Sequence, residues 1–192
     1  MTKMNRFKKI VVSSIATIFL VLLYGLIFSF SDQDGEASGG LSRKISEKCM
    51  EIWNVIARKN WSEMMLQSWA EYFENPIRKL AHFCEYALMA FLLFFIWYPW
   101  IGFYGKGSVE KPKKVGRFRK VPLLVKIIIP WIFVSAAFDE IHQLFVPERW
   151  GNFWDVLLDT AGGCFGLFCC MTCVRIWGSY RIRKLNRRKM RS

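Results

Sequence analysis

The sequence predicts an all-α integral membrane protein with four transmembrane helices and an extracellular amphipathic helical segment between the first and the second. Three observations lead to this fold class. The chain of 192 residues is 53% hydrophobic yet has a formal net charge of +13, so its apolar and basic residues must occupy separate blocks. Four blocks hold about 20 mostly apolar residues, the length that crosses a bilayer. The basic blocks all fall on one side of the membrane if each of the four apolar blocks crosses it.

The four predicted spans differ in how strongly hydropathy supports them; they run roughly over 10–30, 77–100, 123–146 and 153–174. The second and third have charged residues near one end, and the fourth contains Asp155, Asp159 and three glycines, which makes it the least apolar. We expect the first span to be an uncleaved anchor. Its apolar run exceeds that of a signal peptide, and no A-x-A cleavage pattern follows it.

The distribution of lysine and arginine predicts the orientation. Four precede the first span, seven lie between 105 and 120, and eight follow from 175 onward. Such segments face the cytoplasm. The predicted order is therefore a cytoplasmic N-terminus with the first transmembrane helix (1–30), an extracellular amphipathic helical segment (31–76), a three-helix core (77–174) with a basic cytoplasmic loop (101–122), and a basic cytoplasmic tail (175–192).

The two longest basic runs, "KPKKVGRFRK" and "RIRKLNRRKMRS", could attract nucleic acid as well as lipid. Both adjoin predicted spans, where basic runs orient the chain and contact anionic headgroups. We therefore expect membrane lipids and no nucleic acid as partners. Most of the six cysteines fall in predicted spans, and "CCMTC" has no second cluster to complete a zinc site, so no disulfide framework is expected.

The predicted extracellular segment has its own helical pattern. Apolar residues recur at helical spacing up to Ile56, and aromatic residues follow from Trp61 until Asn75 and Pro76 are expected to end the pattern. These helices could lie in the outer headgroup layer or pack as a cap on the spans, and the sequence leaves both open.

Ionisable residues within the spans gather near the predicted outer ends. Arg78, His82 and Glu85 share one helical stripe at spacing i, i+4, i+7. A second stripe holds Asp139, His142 and Gln143, and a third holds Asp155 and Asp159. Charges that face lipid are costly, so the three stripes should face one another. We expect an outward-facing polar pocket with two histidines, five carboxylates and a basic rim; the acids and bases are Glu85, Asp139, Glu140, Asp155, Asp159, Arg78, Lys79 and Arg149.

The fourth span also carries a G-x-x-x-G pattern at Gly162 and Gly166. Small residues at this spacing allow two helix backbones to approach closely.

Three separated stretches, "FSFSDQDGEASGGLS", "RKLAHFCEY" and "DEIHQLFVPERWGNFWDVLLDTAGG", resemble the pattern of VanZ-like membrane proteins from about Phe28 to Gly166. The resemblance implies a multi-pass protein of the bacterial cell membrane with polar motifs at one face, in a family whose founding member is associated with resistance to the lipoglycopeptide teicoplanin. The sequence departs from the family pattern at Glu148, where the turn usually has glycine. Matching positions are Gln33, Arg78, His82, Glu85, Tyr86, Asp139, Glu140, Gln143, Arg149, Asp155 and Gly162.

Two functions fit these residues. In the first, the protein binds a lipid-linked cell-wall component at the outer leaflet, with a glycopeptide antibiotic as a further possible partner. The binding residues would be Gln33, Arg78, Gln143, Arg149 and Asp155, since arginine binds phosphate and carboxylate well. Oligomeric state is left open.

In the second, it is an intramembrane hydrolase or transferase acting on a lipid-linked or peptidoglycan substrate. His82, Glu85, Asp139 and Glu140 would then be the catalytic acids and bases.

Two further interpretations stay open. No cofactor is expected, but a metal could be held by two i, i+3 pairs, His82 with Glu85 and Asp139 with His142. Alternatively the charges only pair to hold helices together, for example Arg78 with Glu85 or Arg149 with Asp155.

Overall fold

The computed structural model describes residues 5–32, 35–101, 121–147 and 149–189. These residues form five helices, and no strand occurs among them, so the all-α fold class is confirmed. The helices are α1 (Arg6–Ser31), α2 (Gly35–Ile56), α3 (Glu63–Ile101), α4 (Val121–Gln143) and α5 (Phe153–Lys189). Most of the predicted basic loop 101–122 lies outside the described residues.

Three of the helices are long and apolar enough to cross a membrane: Arg6–Ser31, Glu63–Ile101 and the part Phe153–Tyr180 of α5. Helix α4 is apolar over most of its length, but Lys126 lies near one end and Asp139 and Glu140 near the other. The fourth crossing therefore remains a prediction, as do the extracellular position of α2 and the cytoplasmic position of both termini. The predicted tail begins inside a helix, because α5 continues to Lys189.

The core lies where α1, α3, α4 and α5 meet. Large apolar side chains such as Met89, Ile128 and Leu167 are buried there, while others such as Leu22 and Phe168 are exposed on the outside of the bundle. A helix bundle that is apolar both inside and outside is suited to a lipid environment.

Hydrogen bonds tie α1 to two neighbouring helices. Ser13 Oγ donates to the carbonyl of Ile96 in α3 at 3.0 Å. Tyr24 Oη shares a hydrogen bond of 2.5 Å with Ser135 Oγ of α4 and accepts one from Trp131 Nε1 at 2.9 Å. Polar contacts of this kind link helices in lipid, where apolar burial alone gives little preference for one partner.

Helix α2 packs against the first part of α3. Ser46 is fully buried, and its hydroxyl donates to the carbonyl of Ala70 at 2.6 Å. The opposite face leaves Ile52, Trp53 and Ile56 exposed. This contact lies within the predicted extracellular segment itself, so both arrangements that the sequence left open remain predictions.

The expectation that Asn75 and Pro76 end a helix is wrong, because α3 runs through both as far as Ile101. Proline lacks an amide hydrogen, so it removes one helical hydrogen bond, here to the carbonyl of Tyr72. That local loss does not end the helix where the following turns pack against α5 over a long apolar stretch. The predicted boundary between 76 and 77 therefore falls inside one continuous helix.

The predicted close approach at the G-x-x-x-G pattern is confirmed. A Cβ atom on Gly162 would collide with the backbone carbonyl of Phe83, and one on Gly166 with that of Ala87, both in α3. Backbone atoms of a packed helix cannot move aside as a flexible side chain can. The two glycines therefore set the distance between α3 and α5.

Replacing either glycine should destabilise the protein. We expect Gly162→Ala or Gly166→Ala to lower the free energy of unfolding by about 1–3 kcal/mol, the usual cost of overpacking. Gly25→Ala is the matched control, because a Cβ atom there meets nothing within 4 Å. Thermal unfolding of the purified protein in detergent, followed by tryptophan fluorescence, measures the effect. Equal melting temperatures for all three variants would contradict the packing role.

The predicted topology has a test built into the chain, since Cys49 is an exposed thiol on α2. A membrane-impermeant thiol reagent should label Cys49 on intact cells, and Cys49→Ser should remove that labelling. Adding Ser179→Cys near the end of α5 to this variant gives the control, which should be labelled only after lysis. The reverse pattern would mean that the orientation is inverted.

Candidate functional site

A polar cavity lies where α3, the end of α4 and the start of α5 meet. Its volume is about 210 Å³. Most of its lining is polar or charged although the surrounding helices are apolar. The lining residues are Asn75, Arg78, Lys79, His82, Glu140, Gln143, Arg149, Trp150, Asp155, Leu158 and Asp159.

Local sequence explains why these side chains meet. The cavity residues of α3 recur every three or four positions from Asn75 to His82, which places them on one helical face. Helix α4 ends at Gln143, and the chain reverses so that α5 begins at Phe153. The start of α5 is thereby brought back beside the end of α4.

The reversal is held by hydrogen bonds from its own polar residues. Glu140 Oε2 accepts from the amide of Asn152 at 2.6 Å, and Asn152 Oδ1 accepts from the amide of Trp154 at 3.1 Å. Gly151 is needed because a Cβ atom there would lie 2.7 Å from the carbonyl oxygen of Glu140. Glu140 thus faces the cavity while it anchors the turn.

An ion pair crosses the rim of the cavity. Lys79 Nζ lies 2.5 Å from Asp155 Oδ1 and joins α3 to α5. Arg149, which the pairing interpretation placed with Asp155, donates from Nη2 to the carbonyl of Phe30 at 3.0 Å and so connects the turn to the end of α1. The acid at the rim therefore has a lysine partner that this interpretation did not name.

Arg78 and Glu85 do not form the predicted ion pair. The Arg78 guanidinium donates to Asn75 Oδ1 at 3.3 Å and lines the cavity. Glu85 Oε2 lies 3.5 Å from His82 Nδ1 instead, behind the cavity wall. A seven-residue separation puts the two side chains two turns apart, and the nearer histidine lies between them.

The floor of the cavity brings together three ionisable groups from three helices. His82, Asp139 and Asp159 each place one nitrogen or carboxylate oxygen within 4.8 Å of the other two. Asp139 and Asp159 are only 3% and 2% exposed. Gln143 Nε2 donates to Asp139 Oδ2 at 3.3 Å, but Oδ1 of each aspartate has no hydrogen-bond partner among the described residues. Two carboxylates this close repel each other when both are ionised, so the floor favours a shared proton or a bound cation.

The structure places the predicted residues as follows. Arg78, His82, Glu140, Gln143, Arg149 and Asp155 line the cavity. Asp139 lies at the floor beside His82 and Asp159 without lining the open space, and Glu85 lies beside His82. Tyr86 is buried in the core, and Gln33 lies outside the described residues.

The predicted place of His142 in the pocket is wrong. Its Nε2 atom lies 3.8 Å from Asp32 Oδ1, and its ring packs edge-on against Phe28 at 5.4 Å. Helix α4 lies between α1 and the cavity, so the two sides of one polar stripe face different neighbours. The metal set that the sequence left open, His82, Glu85, Asp139 and His142, is not assembled, and Asp159 takes the place beside His82 and Asp139.

Sequence reasoning missed three cavity residues, Asn75, Trp150 and Leu158. Asn75 precedes Arg78 by three positions and so lies on the same helical face, which was a usable signal. Trp150 follows Arg149 in the turn, and its place beside the cavity could not be predicted from spacing because a turn has no fixed period. It is 89% exposed at the mouth of the cavity.

Comparison with known protein families gives a match over most of the chain. The family model described as VanZ/LLP1 matches residues 16–175, which include every residue that lines the cavity. No curated protein and no solved structure shows significant similarity to the chain. Since the match spans most of the sequence and all of the cavity, the chain belongs to the VanZ-like family of membrane proteins.

Proposed function

We propose that this VanZ-like protein binds the anionic headgroup of a lipid-linked envelope component in its cavity, and contributes in this way to teicoplanin resistance or to maintenance of the cell envelope. The observation that carries the proposal is a basic rim around a cavity that adjoins an apolar, lipid-facing exterior. Arg78, Lys79 and Arg149 line the cavity. Phosphate and carboxylate groups are the ligands that such side chains bind most strongly.

The rim has one guanidinium that is weakly engaged. Arg78 makes a hydrogen bond of 3.3 Å to a neutral amide, Asn75, on its own helix. An anion would offer it shorter, charge-assisted bonds in place of that contact. Lys79 already pairs with Asp155, so an anion must compete with a carboxylate for it. Arg78 is therefore the residue from which we expect the largest contribution to binding.

Cavity size limits what can enter. A volume of about 210 Å³ equals roughly seven waters at 30 Å³ each. A phosphate or diphosphate headgroup fits such a space, whereas a whole glycopeptide antibiotic does not. We therefore propose the lipid-linked component as the direct ligand and an indirect effect on the antibiotic.

The exterior beside the cavity suits the hydrocarbon chain of such a ligand. Leu80 on α3 and Phe153 and Trp154 at the start of α5 are exposed, as is Trp150 at the mouth. Tryptophan is enriched where protein meets the membrane interface. A headgroup in the cavity would leave its chain against these side chains.

An enzyme remains the second candidate, a hydrolase or transferase for a lipid-linked or peptidoglycan substrate. His82, Glu140 and Asp159 share one cavity and could transfer protons to or from a bound group. The lining described here contains no Ser, Thr or Cys, so hydrolysis would use water as the nucleophile. The binding proposal needs fewer steps and uses the basic rim directly.

Loss of the Arg78 charge tests the binding proposal. Arg78→Gln should weaken binding of a polyprenyl diphosphate to the protein in nanodiscs by about 10- to 100-fold, since a hydrogen bond to a charged group contributes about 1.5–3 kcal/mol. It should also reduce teicoplanin protection in cells that express it. Arg43→Gln is the matched control, because Arg43 pairs with Glu47 on α2, away from the cavity. Equal binding of the diphosphate and of uncharged polyprenol by the wild type would contradict the proposal.

Lipid analysis separates binding from catalysis. We expect cells that express the wild type and cells that express His82→Ala to contain the same lipid-linked and peptidoglycan precursors, measured by mass spectrometry of extracts. A precursor that loses or gains a headgroup only with the wild type would instead establish the enzyme. Membrane levels of both proteins are compared by immunoblot so that unequal expression is not mistaken for chemistry.

A further inference from the structure

We propose that the floor of the cavity is a divalent-cation site formed by His82, Asp139 and Asp159. The three ligands come from α3, α4 and α5, one from each helix, so only the folded bundle assembles the site. It would hold a first-row transition metal and present it to the cavity.

The candidate ligand atoms lie within reach of one ion once their side chains rotate toward it. Zinc binds nitrogen and carboxylate oxygen at about 2.0–2.2 Å in a tetrahedral arrangement, so two ligand atoms of one ion lie about 3.3–3.6 Å apart. The three candidate atoms lie within 4.8 Å of one another. Side-chain rotations that bring these atoms together by at most about 1.5 Å would complete the tetrahedral arrangement.

Burial supplies the independent observation. Asp139 and Asp159 are 3% and 2% exposed, and Oδ1 of each accepts no hydrogen bond in the part of the chain that the structure describes. Nor does any ion pair join either carboxylate to a basic side chain within those ranges. Buried charge without a partner is strongly unfavourable, and a cation between the two acids would remove that cost.

The kind of ligand atom indicates the kind of cation. One imidazole nitrogen with two carboxylate oxygens suits zinc, manganese or iron better than the all-oxygen sites preferred by magnesium and calcium. Metal-binding histidines usually donate their other ring N–H to a carboxylate. Glu85 Oε2 lies 3.5 Å from His82 Nδ1, and neither atom makes a hydrogen bond within the described residues. A small rotation of the ring would let Glu85 accept the N–H and would leave the other ring nitrogen for the cation.

The cation site also indicates how the proposed anionic headgroup would bind. This step rests on the proposed function. His82 and Asp159 line the cavity that Arg78 and Lys79 also line. A cation with three protein ligands keeps positions open for outside oxygens. A phosphate or diphosphate headgroup could therefore bind the cation on one side and the guanidinium on the other.

The test uses manganese alone as the probe, because the six free cysteines would bind zinc elsewhere. The full-length protein, purified without a histidine tag and stripped with chelator, is titrated with Mn²⁺, and free ion is measured by electron paramagnetic resonance. We expect one ion per chain. Asp139→Asn and Asp159→Asn should each lower the affinity more than about tenfold. Asp32→Asn, an exposed acid beside His142, is the control and should bind as the wild type does.

Thermal unfolding gives a second measurement on the same samples. Mn²⁺ should raise the melting temperature of the wild type and leave that of Asp159→Asn unchanged. In chelator, Asp159→Asn should be more stable than the wild type, because the substitution removes one of two repelling carboxylates. Absence of Mn²⁺ binding up to millimolar concentration, or equal binding by the wild type and both asparagine variants, would overturn the proposal and leave a shared proton as the occupant.

Binding of polyprenyl diphosphate by the chelator-stripped protein separates the two proposals. Lipid binding without any Mn²⁺ binding would reject the cation site and keep the proposed function. One bound Mn²⁺ that is lost in both asparagine variants, without lipid binding, would keep the cation site and reject the headgroup as ligand.

Discussion

The packing of α5 against α3 is the contact on which the rest of the site depends. The two helices run parallel, and paired positions follow one another along them: Lys79 with Asp155, then Phe83 with Gly162, then Ala87 with Gly166. Because the glycines permit contact between backbones, the acids one and two turns earlier on α5 are brought beside the bases of α3. A larger residue at either glycine would separate the helices at the level of the cavity floor.

Two acids of α5 have different surroundings although they lie one turn apart. Asp155, at the rim, has a lysine partner and partial access to solvent. Asp159, at the floor, is buried with one carboxylate oxygen unsatisfied among the described residues. The rim therefore has the balanced charges expected of a contact that stabilises structure. At the floor, burial of a carboxylate without a charged partner is energetically unfavourable. Proteins retain such a group where it serves a function.

Much of this arrangement could be predicted from the sequence, because helical periodicity and membrane topology act together. Spacing placed Arg78 and His82 on one face, and topology placed that face level with Asp155. Spacing could not decide between basic residues that lie equally close to an acid. For this reason the sequence suggested Arg149 as the partner of Asp155, whereas the structure pairs Asp155 with Lys79. The predicted position of His142 in the pocket was wrong for a related reason, because the polar stripe on α4 is wide enough to contact α1 as well as the cavity. The predicted helix end at Pro76 was wrong because the loss of one helical hydrogen bond was outweighed by packing over the following turns.

The size and chemistry of the cavity together constrain how resistance could arise. A lipoglycopeptide antibiotic is too large for a space of about 210 Å³. Direct capture of the drug would need a broad exposed surface, whereas the charged residues here converge on a small interior space. A headgroup-sized site can act only on the molecule that carries the headgroup, by holding it or by changing its supply. The proposed protection is therefore a consequence of what happens to the lipid-linked component, and the drug need not touch the cavity at all.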